Sequence, residues 1–199
     1  MKNLSFIVLF FLAGAVTAFA AGDITGEIDL SKIRDFEVKA HVNEKNAPPP
    51  AGSKVKVTSR GLEFDYVFPG KKHDALMASF AVDIPSSFRV TVELTPMQKG
   101  HRPYLVLVDA DNENHYMSIV PSIFLSRQTL QKTTRQTFTA QLPLVNKFPG
   151  EKHIRHWGGD NNQKMDFPLK KVILGINDYP DEFTGKGKII FHKITFLSK

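Results

Sequence analysis

Trp157, Asp160, Asn161 and Asn162 lie within one six-residue stretch and have the side chains that can hold a sugar. A pyranose ring presents a face of C–H bonds that a flat indole can cover at little entropic cost. Carboxylate and amide groups offer paired hydrogen bonds to its hydroxyls. The same residues also fit a structural role, in which Trp157, the only tryptophan, closes one end of a core while Gly158 and Gly159 turn the chain with positive φ. Because tryptophan is usually well buried, the sequence favours packing for Trp157 and ligand contact for Asn161 and Asn162.

Three further constellations invite chemistry. No acidic residue occurs between Glu113 and Glu151, whereas Arg127, Lys132, Arg135 and Lys147 fall inside that gap. Arg127 and Arg135 are therefore candidates for contact with an anionic polymer, against the plainer reading of a solvated basic segment. Asp160, Asp166, Asp178, Asp181 and Glu182 are hard oxygen donors of the kind calcium takes, but they lack the regular spacing of a calcium loop. His153 and His156 are three apart, so an extended chain sends them to opposite faces. His192 alternates with Ile190, Ile194 and Phe196, which predicts a buried, hydrogen-bonded imidazole rather than a metal ligand.

No set of residues announces catalysis. Cysteine is absent, and neither a Gly-x-Ser-x-Gly elbow nor a His-Glu-x-x-His pair occurs. Glu63, Asp65, Asp109 and Asp111 could supply paired carboxylates for glycoside cleavage. Glu63 and Asp65, however, fall on the outward positions of an alternating segment, where solvation is expected. In a lyase, Arg127, Lys132 and Arg135 would neutralise uronate carboxylates, with Tyr116 or a histidine as base.

The elements that must position these residues are strands. Phe88 to Thr95 alternates apolar and polar at every step, which puts one face on a core and the other in water. The pattern recurs in Phe36–Val42, Leu62–Phe68, Leu76–Ile84 and Thr137–Leu142. Tyr104–Val108, Val172–Ile176 and Ile189–Phe196 are apolar on both faces, so they are expected at the centres of sheets or covered on both sides. Ala110–Asn114 reads as a hairpin loop between Tyr104–Asp109 and His115–Val120. Residues 121–136 read as a long loop with at most a strand or a turn of helix. Roughly ten short strands without a strong amphipathic helix predict an all-β antiparallel sandwich of the jelly-roll type.

The ends and the charge set the context. Lys2, the apolar run Leu4–Val16 and Ala18-Phe19-Ala20 have the pattern of a secretory leader over residues 1–20, with residues 21–199 as one β-sandwich domain. The apolar run is too short to span a bilayer comfortably, and no other stretch approaches the ~20 residues that spanning needs. A cysteine-free exported chain points to a bacterial periplasmic or secreted protein. A net charge of +6 is too weak to imply nucleic acid.

Trp157 to Asn162, Pro168 with Val172–Ile176, and Gly185-Lys186-Gly187 with Ile189–Phe196 together resemble the galactose-binding-like jelly rolls. These include noncatalytic carbohydrate-binding modules and the complex I intermediate-associated protein family. The resemblance covers roughly residues 140–198 at motif level. It implies a sandwich whose loops bind a glycan. Such modules commonly end in a strand with Asp-Asp-Ile, whose first acid helps hold a structural calcium. Here the corresponding triplet is His192-Lys193-Ile194, which has no hard anionic ligand and implies a domain without metal. The expected function is noncatalytic glycan recognition through polar loops and an aromatic platform. The alternatives are an assembly protein that binds a protein partner, and a polysaccharide lyase or hydrolase.

Overall fold

The computed structural model describes residues 23–43, 45–70, 73–100, 102–119, 130–145, 154–178 and 184–199. These form thirteen strands and no α-helix, so no helix there is long and apolar enough to cross a membrane. One sheet contains β4 (Lys54–Thr58), β5 (Gly61–Pro69), β13 (Thr184–Leu197), β7 (Arg89–Pro96) and β10 (Gln136–Gln141) in that spatial order. β1 (Ile24–Asp29) also pairs with β13, and beyond it the Ser198 N–H donates to the Asp23 carbonyl at 2.8 Å. The second sheet runs β11 (Ile154–Gly158), β9 (Glu113–Ser118), β8 (Pro103–Val108), β12 (Leu169–Asn177), β6 (Ala75–Ile84), β2 (Glu37–Val42) and β3 (Lys45–Ala47). All pairings are antiparallel.

Alternation builds the core between the sheets. Leu62, Phe64 and Phe68 on β5, Val90, Val92 and Leu94 on β7, and Phe191, Ile194 and Phe196 on β13 face Leu76, Leu105, Leu107, Val172 and Leu174 from the other sheet. Each apolar residue so placed leaves water, at about 25 cal/mol per Å² of apolar surface removed. The three segments apolar on both faces do lie at sheet interiors: β13 in one, β8 and β12 in the other.

Three expectations need correcting. Glu63 is not solvated: it is only 2% exposed, with the Lys56 and Lys188 ammonium groups each 2.9 Å away and Arg60 at 3.3 Å. Burial opposes its ionisation, but the lysine hydrogen bonds and charges outweigh that and hold its carboxyl below the usual range. Asp65 is similarly tied to Lys188 at 3.0 Å. His192 is hydrogen-bonded as predicted, but it is only half-buried and leaves the apolar series, because β13 bulges between Phe191 and Lys193 against β7. The Arg60 carbonyl, 2.6 Å from Nδ1, can only accept, so Nδ1 carries a proton, and the Thr95 hydroxyl lies 2.7 Å from Nε2.

Residues 154–158 form edge strand β11 on β9. Of residues 121–136, those up to 129 lie outside the described residues, Leu130 is fully buried, and Gln136 begins β10. The leader segment, residues 1–20, also lies outside them.

Candidate ligand groove

Strand register assembles a groove on the outer face of the seven-stranded sheet. Arg155, Tyr116, Val106 and Ile173 occupy one cross-strand row, and Tyr104 and Gly175 are direct partners in the next. Tyr104, Val106 and Val108 point away from the main core, yet they are buried by Met77, Tyr116 and Ile173 in a second apolar cluster. This cluster floors the groove. Gly175 allows the floor to be flat: a Cβ there would meet the Tyr104 ring at 2.2 Å, so only glycine lets that ring lie across β12.

An aromatic run climbs from the floor to the rim. Tyr104 and Tyr116 have ring centroids 5.3 Å apart, and Tyr116 and Trp157 are 6.2 Å apart. Exposure rises along it, from 5% at Tyr104 to 45% at Trp157. The expectation that Trp157 packs into the core is therefore overturned: the indole projects from an edge strand, and among the described residues no second layer covers it. The cavity has a volume of about 230 Å³ and is lined also by His41, His73, Arg102 and Asn177. Asn177 Nδ2 donates to the Tyr116 hydroxyl at 3.3 Å, and that hydroxyl lies 2.9 Å from Ser118 Oγ. Burial, and then the neighbouring Tyr116, push the Tyr104 phenol well above its ordinary value, so it stays protonated.

A buried polar clamp fixes the rim. Asp109 Oδ1 accepts the backbone N–H groups of Asp111 (3.1 Å) and Glu113 (2.8 Å), while Oδ2 lies 2.9 Å from His115 Nε2 and accepts the Asp166 N–H at 3.2 Å. The His115 and His156 Nδ1 atoms are 2.9 Å apart. The Glu113 carboxylate accepts the Gln163 N–H at 3.2 Å. Gly158 and Gly159 take φ of 81° and 53°, the left-handed turn expected of them. A Cβ on Gly159 would come within 2.5 Å of the Glu113 nitrogen, so the turn after Trp157 rests directly on the β8–β9 hairpin.

Metal chemistry fits this clamp poorly. Asp109, Glu113 and His115 bring ligand atoms within 4.8 Å of one another, the one such group among the described residues. Their oxygens already accept backbone N–H groups, whose positive ends would face a cation and would have to be displaced. The acids named as calcium candidates do not converge. Asp166 and Asp178 lie beyond opposite ends of the nine-residue β12, separated by roughly 30 Å of extended chain. Asp181 and Glu182 lie outside the described residues. At the resemblance's calcium position, His192 lies against the Arg60 carbonyl (2.6 Å) and the Thr95 hydroxyl (2.7 Å), and Lys193 beside it pairs with Glu27 (3.4 Å) and Glu93 (3.7 Å).

Of the residues read from sequence as ligand contacts, only Trp157 lines the groove among those described; Tyr116, named as a possible base, lines it too. Asp160, Asn161 and Asn162 are exposed in the turn beyond the rim, where Asp160 accepts the Asn162 N–H at 3.2 Å and Asn162 Oδ1 accepts the Lys164 N–H at 2.6 Å. Arg135, just before β10, lies against the opposite sheet, with its Nε 3.0 Å from the Glu93 carboxylate on β7. Arg127 lies outside the described residues. The cations that do line the groove, Arg102 and Arg155, were missed. Arg155 had a signal, since a residue two before Trp157 on a strand shares its face.

No protein-family model matches the chain, and no curated protein resembles it in sequence. Solved structures do resemble it in fold. The family 11 carbohydrate-binding module from Clostridium thermocellum, solved in complex with a β-1,3-1,4-mixed-linked tetrasaccharide, superposes with a TM-score of 0.53 at 11% identity, covering 90% of this chain and 98% of that one. An agarase, AgWH50C, gives 0.51 at 10% identity over 87% of this chain, which corresponds to 25% of the enzyme's own length. These likenesses establish the fold: an all-β jelly-roll sandwich like that of carbohydrate-binding modules.

Proposed function

We propose that this domain is a noncatalytic glycan-binding module that holds a stretch of polysaccharide in the groove across its seven-stranded sheet. The observation that carries this reading is the run Tyr104, Tyr116, Trp157, which ends in a half-exposed indole at the rim of a groove. Leaving a large aromatic surface in water forgoes burial energy, and an apolar patch with a polar rim marks a place for a partner. A sugar ring suits it, because C–H bonds cover the indole while Asn177, the histidines and the arginines reach hydroxyl or charged substituents. Among the described residues, the lining holds no carboxylate pair of the kind glycoside hydrolysis uses. The leader pattern at residues 1–20 would take the protein to a bacterial periplasm or beyond, where polysaccharides are met.

Affinity electrophoresis of the whole protein against a panel of neutral and acidic polysaccharides tests this reading. At least one should retard migration, and Trp157→Ala should weaken that binding by about 1–3 kcal/mol, the scale of an aromatic anchor. Stability should change by less than about 1 kcal/mol, because the indole is exposed. If no polysaccharide on the panel is retained, the glycan reading fails. Release of oligosaccharides during incubation would overturn its noncatalytic part.

A further inference from the structure

We infer that the groove takes a glycan of N-acetylated hexosamines, with the acetamido group of one sugar seated beside Asn177; this rests on the glycan-binding reading above. Asn177 has one end of its carboxamide in use and the other idle. Its Nδ2 donates to the Tyr116 hydroxyl at 3.3 Å, whereas its Oδ1 is buried and meets no hydrogen-bond donor. An acceptor in that state has given up water without a replacement, which is unfavourable. Because Asn177 lines the cavity, a small turn of the carboxamide about its broad terminal torsion presents the oxygen to a donor on the ligand.

The surroundings of that oxygen select the donor. Ala75 is the direct cross-strand partner of Asn177, and Met77, opposite Gly175, follows on the same face of β6. Both line the cavity, with Val106 and Ile173 beyond them. A hydroxyl placed here sets a polar oxygen against an apolar floor. A trans acetamide carries its N–H and its methyl on one edge and its carbonyl on the other. That edge brings the N–H to Asn177 and the methyl to Ala75 and Met77, while the carbonyl stays in water on the open side. Charge does not compete for the ligand, since Arg102 and Arg155 already interact within the protein. Tyr116 links this spot to the rim, with its ring 6.2 Å from Trp157 and its hydroxyl on the Asn177 carboxamide. Indole and carboxamide are thus within roughly 13 Å of each other, a reach that an oligosaccharide covers with one sugar stacked at the rim and another turning its acetamido group inwards.

Calorimetric titration of the full chain with chitopentaose and cellopentaose tests this inference, because the two share length and linkage and differ only in an acetamido group or a hydroxyl at C2. Galactan and mixed-linkage β-glucan extend the unacetylated set, and peptidoglycan strands freed of peptide extend the acetylated one. At least one acetylated glycan should bind about tenfold or more tightly than every unacetylated one, since a methyl leaving water contributes about fourfold and a hydrogen bond to Asn177 a few-fold more. Asn177→Ala should remove most of that factor, and unchanged binding by a folded Asn177→Ala protein overturns the inference. The comparison of ligands needs no variant, so it decides the question even if Asn177→Ala does not fold. Binding to chitopentaose alone or to peptidoglycan strands alone supports the inference and identifies the source. Unacetylated glycans that bind as well as acetylated ones, or bind alone, overturn it and leave the glycan reading standing. Binding to none of the probes removes the glycan reading and the inference with it.

Discussion

Replacing Gly175 by alanine should disrupt the groove floor through a collision with the Tyr104 side chain. The Gly175 backbone is not in the left-handed region, so alanine meets no strain there, and in a strand it should be slightly favoured over glycine. The whole penalty is therefore steric. The new Cβ would lie 2.2, 2.4 and 2.7 Å from three atoms of Tyr104, where carbon contacts rest near 3.5–4.0 Å, so the ring must retreat by more than about 1 Å. It has little room, since it is 5% exposed and packed 5.3 Å from the Tyr116 ring. Overpacking of this kind costs about 1–3 kcal/mol. With a urea slope of about 2 kcal/mol per M, a loss of 2 kcal/mol lowers the unfolding midpoint by about 1 M. The companion measurement repeats the change in a Tyr104→Ala background, where nothing remains to collide with and Gly175→Ala should be neutral or mildly stabilising. Equal losses in the two backgrounds, or no loss in the wild type, would refute the argument that glycine is there to admit the tyrosine.

Two further predictions concern the clamp behind the rim. Asp109→Ala leaves His115 Nε2 and the backbone N–H groups of Asp111, Glu113 and Asp166 without their acceptor, so denaturant titration should show a loss of about 3–5 kcal/mol; a loss below about 1 kcal/mol would mean that water replaces the carboxylate freely. The pH dependence should have two stages. Burial first, and then the neighbouring His115, lower the His156 pKa, so the unfolded chain protonates before the folded one and stability declines as pH falls below about 6.5. Burial opposes Asp109 ionisation, but hydrogen bonds from His115, Asp166 and Glu113 outweigh it and lower the pKa. Its contribution is thus complete above about 4 and is lost as pH falls through the lower folded value. Thermal melts from pH 8 to 3 should show both declines, and His156→Gln should remove only the first; an unchanged first decline in that variant would assign it to another group.

The architecture was readable because a period of two is a local property. Phe88 to Thr95, Leu62 to Phe68 and Leu76 to Ile84 each declare which face is buried, and the two-sided apolarity of Ile189–Phe196 declares a sheet interior. What the sequence hides is register between distant strands. Tyr104, Tyr116 and Trp157 are 53 residues apart end to end, and only the pairing of β11 with β9 and β9 with β8 makes them neighbours. The bulge at His192 is equally hidden, since one extra residue changes the phase of a strand without altering its composition. Glu63 looked solvated because alternation tells inside from outside, yet cannot show that Lys56 and Lys188 arrive from both flanking strands to cover it. Trp157 was misassigned for a related reason: general burial tendencies describe an average tryptophan, whereas its exposure here follows from an edge strand and a clamped turn.

The closing contact of β1 on the end of β13 also governs how the molecule can be attached to something else. The Asp23 carbonyl and the Ser198 N–H are hydrogen-bonded, so both ends of the described fold emerge side by side from the six-stranded sheet. The groove opens from the other sheet. A tether joined at either end would hold the domain by its back, leaving the aromatic groove turned outwards. The same adjacency makes the fold a good subject for circular permutation, in which a short linker joins the two ends and a new opening is cut away from the groove.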